Sequence, residues 1–208
     1  RLLAPYADGL ELNLSCPHAK GYGMAMGQDP ELVAEIVSAV KNAVSIPVVP
    51  KLTPNTDRIG EIATAAARAG ADAICAINTV GPGAHTAHGH DVLSNGVGGL
   101  SGKGVLAVAQ KCIRDIRAVT DLPIIGCGGV SSMDDVTAMR SAGAEVIGVG
   151  SALTGMTTEE MKAYFADLSA AVEPAQPDLA EARVQYDLNM TFKPVTLVNI
   201  ETVCEDIA

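Results

Sequence analysis

Five short apolar runs, each closed by a polar residue or a glycine and each followed by a helix-like stretch, constrain the fold of this 208-residue chain more than any other feature. The runs fall at residues 12–15, 46–52, 71–79, 122–129 and 144–153. After the first run, residues 29–44 read as a helix. Asp29 is a good N-cap, Pro30 suits the first helical position, and Leu32, Ile36, Val40 and Val44 form a stripe. Residues 57–70, 105–119, 133–142 and 158–172 are the other predicted helices, and 81–104 is a predicted long, exposed loop. Near-continuous apolar strands alternating with helices indicate an α/β protein with a parallel sheet covered on both faces.

Two architectures fit, a doubly wound open sheet and a (β/α)8 TIM barrel. No GxGxxG turn follows the first run, whereas polar residues or glycines close every strand: Ser15-Cys16, Lys51, Asn78-Thr79, Gly128-Gly129 and Gly150-Ser151. A barrel builds its site at that rim. A complete barrel needs eight units and roughly 250 residues. The chain is therefore read as the last five β/α units of a barrel, over residues 1–172, with the first three outside this sequence.

Composition narrows the function. There is no Trp, with only two Phe and four Tyr, so the core must be aliphatic. A net charge of −10 without a Lys/Arg cluster argues against nucleic acid and anionic membranes as partners. No apolar run reaches membrane-spanning length. The five cysteines (16, 75, 112, 127 and 204) are scattered without a CxxC pair. That argues against zinc or iron–sulfur ligation in this chain, and free thiols fit a reducing cytoplasm.

Several residues point to chemistry. Cys16 sits where a strand ends at a Cys-Pro step, ahead of a glycine-laced stretch at 19–29. A thiol at the mouth of a sheet under a mobile loop suits acid/base or nucleophilic work; the alternative is a buried structural cysteine. Lys51 ends an apolar strand, either as a cation held against a flavin ring or a substrate, or as a turn lysine. Asn13 lies on the Cys16 strand, and Asn78-Thr79 offers an amide and a hydroxyl to a planar heterocycle. Gly128-Gly129 and Gly150-Ser151 put bare amides beside helix starts at two successive strand ends, which favours a phosphate. His85, His88 and His90, followed by Asp91, are assigned to a solvated loop rather than a metal, and Cys75, Cys112 and Cys127 to core packing.

Together these residues resemble the FMN-dependent dihydroorotate dehydrogenases, NAD-linked or archaeal in type, and the flavin domain of dihydropyrimidine dehydrogenases. The resemblance covers about residues 9–156 and rests on ELNLSCPH (11–18), GQDPELV (27–33), KLTPN (51–55), INTVGPG (77–83), GGLSG (98–102), IIGCGGV (124–130) and GVGSAL (148–153). It implies a (β/α)8 barrel with FMN at the rim. It implies Cys16 as the proton-transfer group, Lys51 on the isoalloxazine, and Asn13, His18, Asn78 and Thr79 around a pyrimidine. Asn78 also falls beside the cofactor, and Gly98, Gly99, Gly128, Gly129, Gly150 and Ser151 surround its phosphate. Cys16 would take a proton from C5 of dihydroorotate while C6 delivers hydride to flavin N5, with glycines 21, 23 and 27 letting the loop move.

His18 departs from the asparagine common in dihydroorotate dehydrogenases and looks like the pyrimidine-reducing relatives. The front of the family's barrel, which adds another lysine and an asparagine loop, has no counterpart here. Residues 173–192 read as a linker or arm. Residues 193–208 resemble the opening strand of a flavin-reductase-type electron-transfer subunit, or serve as a C-terminal strand in dimer contacts. FAD and a [2Fe–2S] cluster would then belong to a partner subunit or fused domain. The expected function is oxidation of dihydroorotate to orotate by a cytoplasmic homodimer working with an electron-transfer subunit. The rivals are reduction of uracil or thymine, and a non-redox phosphate-binding isomerase or lyase.

Overall fold

Backbone hydrogen bonding places every strand of the main sheet beside its neighbour in sequence. The computed structural model describes residues 1–15, 24–84, 86–91, 93–94 and 96–170. The chain divides into Arg1–Ala171 and Val172–Ala208, and the second unit, with the predicted linker and terminal strand, lies outside the described residues. In order come β1 (Leu10–Asn13), the single turn α1 (Met24–Gly27), α2 (Pro30–Lys41), β2 (Val48–Leu52), α3 (Ile59–Arg68) and β3 (Ile74–Ala76). Then follow β4 (Val80–Ala84), β5 (Thr86–Ala87), β6 (His90–Asp91), β7 (Val97–Leu100), α4 (Leu106–Arg117), β8 (Ile124–Cys127), α5 (Met133–Ala142), β9 (Val146–Gly148) and α6 (Thr158–Ala170).

The sheet runs β1-β2-β3-β8-β9, parallel throughout. No strand is skipped or reversed within it, so the switch point of a doubly wound sheet is missing and the arrangement is that of successive barrel staves. The barrel is not closed among the described residues, because β1 and β9 each pair on one side only.

Period-two alternation sorts the strand residues onto two faces. Val48, Pro50 and Leu52 of β2 and Ile124 of β8 are buried beneath the helices. The core there is aliphatic, with Ile62 of α3, Ile113 and Ile116 of α4 and Met139 of α5 all fully buried. Glu11, Asn13, Lys51, Ile125 and Cys127 take the other face, and on it Val146 is 55% exposed. Helices therefore cover one face only, whereas both were expected to be covered. The second face is the concave one that a closed barrel fills with its own side chains.

Local signals explain the helix starts. The Asp29 carboxylate accepts from the Glu31 and Leu32 amides at 2.9 and 3.3 Å. Ser132 caps α5 through the Asp135 amide at 3.3 Å, and Gly143 ends that helix in the left-handed region. Residues 81–104 differ from the expected loop. β4 and β7 pair antiparallel, with Val80 opposite Leu100 and Gly83 opposite Gly98, and β5 and β6 pair at the tip. Gly27, assigned to a mobile loop, instead ends α1 against the Leu14 carbonyl, where a Cβ has no room.

Candidate functional site

The C-terminal ends of the parallel strands converge on one cavity of about 440 Å³, within the size range of small-molecule and cofactor sites. Lys51, Asn78, Thr79, Gly128, Gly129, Gly150 and Ser151 all line it. Residues from four strand–helix units thus meet in one space, as the rim argument required. Gly98 and Gly99 are not part of the lining. Gly99 packs directly on the Thr79 side chain, leaving no space for a Cβ, and the neighbouring lining is Leu100 to Gly102. Cys16 and His18 lie outside the described residues.

Lys51 comes from the concave face of β2, opposite Asn13 in register on one side and Cys75 on the other. Its ammonium reaches the Glu11 carboxylate at 3.3 Å. Burial works against that charge, but the Cys75 and Cys127 sulfurs and Glu11 outweigh it, so its pKa lies above the ordinary lysine value. Lys51 is therefore a cation at neutral pH, paired with Glu11 on the cavity wall.

Asn78 is set by a hydrogen-bond network. Its amide nitrogen donates to Asn13 Oδ1 at 3.1 Å and Ser15 Oγ at 2.8 Å, and its oxygen accepts from the Thr79 amide at 2.8 Å. Ser15 is fully buried and also donates to Asn13 Oδ1 at 3.2 Å. Asn13 thus reaches the site through Asn78 rather than from the cavity wall. Asn55, not singled out from sequence as a site residue, ties the next turn down. It donates to Thr53 Oγ1 and the Thr79 carbonyl, both at 3.1 Å, and accepts from the Gly81 amide at 2.8 Å. Its place in KLTPN was the available signal.

A second cavity of about 150 Å³ adjoins the first, sharing Gly102, Gly129 and Ser151. Gly129 has φ +79°, and a Cβ there would lie 2.7 Å from the Gly102 carbonyl oxygen and 2.9 Å from the Leu106 amide. Nothing stands within 4 Å of the Cβ position at Gly150. Asp135, almost fully buried, accepts from the Ser131 amide and hydroxyl at 3.0 Å each and from the Lys103 ammonium.

Burial alone would raise the Asp135 pKa; Lys103, Ser131 and Ser132 overcome that and hold it down to about 2. A carboxylate depressed in the fold contributes stability above its ordinary value near 3.9, and the contribution disappears as pH falls through the folded value. Asp135→Asn is expected to cost about 2 kcal/mol at neutral pH and little near pH 2, measured by denaturant unfolding. An equal loss at both pH values would contradict the pairing.

Cys75 and Cys112 are buried, as core packing requires, but Cys127 is not part of the core. It faces the cavity because it shares the alternation of Ile125, while Gly126 takes the helix side. His88 and His90 are exposed on the β5–β6 tip, and His85 lies outside the described residues. No group of three or more His, Cys, Asp or Glu among the described residues is placed to hold a metal.

Residues 1–165 match the family model described as dihydroorotate dehydrogenase. A Methanocella arvoryzae protein named dihydroorotate dehydrogenase B (NAD(+)), catalytic subunit, is 52% identical over 150 residues, or 72% of this chain and 50% of the relative. Proteins of the same name from Pyrococcus horikoshii and Methanosarcina acetivorans are similar too. The first is 48% identical over 152 residues, covering 73% of this chain and 50% of its own. The second is 46% identical over 173 residues, covering 83% and 54%. The chain spans about half the length of the curated relatives it matches.

Proposed function

The chain belongs to the dihydroorotate dehydrogenase family, and on that premise we propose that it carries a site at which dihydroorotate is oxidised to orotate with FMN as cofactor. The observation supporting this most is the single cavity that joins Lys51, Asn78-Thr79 and the two glycine turns.

The residues present fit FMN. The Gly129 turn leaves no space for a side chain, the approach over Gly150 is open, and the adjoining small cavity is lined by Ser131, Ser151 and Lys103. A phosphate suits such bare-amide turns, and the larger cavity has room for a planar ring. FMN, when bound there, supplies the hydride acceptor. Lys51 would hold the ring from the cavity wall, and its charge would favour the uptake of electron density there. Asn78, held by Asn13 and Ser15, and Thr79 would orient the pyrimidine, a role proposed for His18 as well. Cys16 would take the C5 proton while C6 gives up hydride.

His18 and GQDPELV favour a second substrate, uracil or thymine. A titration separates the two. Orotate is expected to perturb the absorbance of the protein-bound flavin, and uracil to leave it unchanged. The reverse order of effects would transfer the assignment to pyrimidine reduction, and a colourless protein would favour a non-redox phosphate-binding barrel.

The relatives' designation as catalytic subunits supports an electron-transfer subunit as partner. FAD and a [2Fe–2S] cluster would sit on that subunit or on a fused domain. A homodimer and a cytoplasmic location complete the proposal; no helix among the described residues is long and apolar enough to cross a membrane.

A further inference from the structure

Two sulfurs on the concave face have no part in the chemistry above. Cys75 on β3 and Cys127 on β8 share that face on adjacent parallel strands, and their Sγ atoms are 3.6 Å apart. Cys75 is completely buried, whereas Cys127 lines the large cavity. We propose that Cys75 and Cys127 form an oxidisable dithiol, with Cys127 the sulfur that meets hydroperoxides and Cys75 the sulfur that resolves the product into a disulfide. The proposal goes beyond the flavin chemistry, and because Cys127 lines the space proposed for FMN it concerns the protein with that cavity empty.

The surroundings of Cys127 favour a thiolate. Its sulfur lies 3.6 Å from the Cys75 sulfur, within reach of a thiol hydrogen bond, faces the Lys51 charge and accepts from the Gly148 amide. Gly148 is its register partner on β9, and the Cys127 sulfur fills the place where a Cβ at 148 would lie. The Cys75 contact, Lys51 and the Gly148 amide lower the Cys127 pKa against burial and Glu11, while the same contact and burial raise that of Cys75. Cys112 is a natural comparison within the same fold. It is buried in α4 with no such partners, and burial pushes it up to about 11.

The chemistry balances in two steps. Cys127 Sγ attacks the terminal oxygen of a hydroperoxide. An S–O bond forms, the O–O bond breaks, an alcohol or water departs with a proton, and the sulfur is oxidised by two electrons to a sulfenic acid. The Cys75 sulfur then attacks Cys127 Sγ. The S–S bond forms, the S–O bond breaks, and water leaves with the Cys75 proton. The sulfurs must approach by roughly 1.6 Å, since a disulfide measures about 2.0 Å. Gly126 and Gly128 flank Cys127 and offer the backbone freedom for that movement.

The test treats the full chain with hydrogen peroxide at neutral pH, after any bound flavin has been removed by dialysis and its absence checked by absorbance, then alkylates the remaining thiols and maps them by mass spectrometry. A peptide cross-linked through Cys75 and Cys127 is expected, formed about tenfold to a hundredfold faster than Cys112 is lost. In Cys75→Ser, a 1,3-dione probe is expected to trap a sulfenic acid at Cys127; in Cys127→Ser, Cys75 is expected to stay reduced. The wild-type cross-link needs no variant, so a core substitution that fails to fold leaves the test intact. The proposal is overturned if Cys75 and Cys127 both still alkylate after Cys112 has been consumed. It is equally overturned if Cys127 pairs with Cys16 or Cys204 instead of Cys75.

Discussion

Replacing Cys16 by alanine should slow flavin reduction by dihydroorotate roughly a hundredfold to ten-thousandfold, the usual contribution of a positioned acid/base group, while leaving flavin content and unfolding midpoint unchanged. The C5 proton is not acidic enough to leave unaided at neutral pH. A base is useful only when its pKa is near the working pH, and an ordinary thiol near 8.5 meets that condition. Serine does not, so Cys16→Ser should retain a slow reaction whose rate keeps rising with pH where the wild type levels off. Stopped-flow mixing of dihydroorotate with oxidised flavoprotein isolates this step from reoxidation. A Cys16→Ala protein that reduces its flavin at the wild-type rate would remove Cys16 from the chemistry and return it to the structural alternative weighed from sequence.

The second large effect separates the two glycine turns. Gly129→Ala should destabilise the protein by about 2 kcal/mol or more and abolish flavin retention. The new methyl would meet the Gly102 carbonyl at 2.7 Å and the Leu106 amide at 2.9 Å, and the residue sits at φ +79°. Both contacts are backbone, so neither can swing aside. Gly150→Ala should behave differently. Its Cβ position has nothing within 4 Å and its φ is −127°. The methyl therefore strains the protein less, yet it occupies the approach assigned to the phosphate and should weaken FMN binding. Urea unfolding gives the first quantity, and fluorescence of released flavin gives the second. A Gly150→Ala protein that holds flavin as tightly as the wild type would move the phosphate away from this turn.

The strand-and-helix order was legible because burial writes itself into local pattern. The run at 122–129 became β8, and 133–142 is α5 to the residue, since Ser132 and Gly143 supply both of its caps. The rim was legible as well, because polar residues ending apolar strands have few other places to go. The β4–β7 hairpin was not. Its pairing depends on backbone contacts between VGPGA and VGGL, whose glycines carry no side-chain periodicity and whose partners are distant in sequence. Cys127 was assigned to the core because a cysteine in an apolar run looks the same whichever face it takes. Its place in the alternation of β8, on the face of Ile125 and opposite the bare Gly148, puts it at the cavity. Beyond its place in KLTPN, Asn55 carries no local signal for a similar reason, since its hydrogen bonds reach Thr79 and Gly81 across a turn between different strand–helix units.

Most direct is the identity and amount of the flavin released when the full chain, purified without added cofactor, is denatured and its small molecules are resolved by mass spectrometry. If the strand-end cavity is a flavin site, the released compound is FMN, close to one per chain, and its yield falls in Gly129→Ala. Release of no flavin, or of a sugar phosphate in its place, would contradict a flavin site there and with it the oxidation of dihydroorotate.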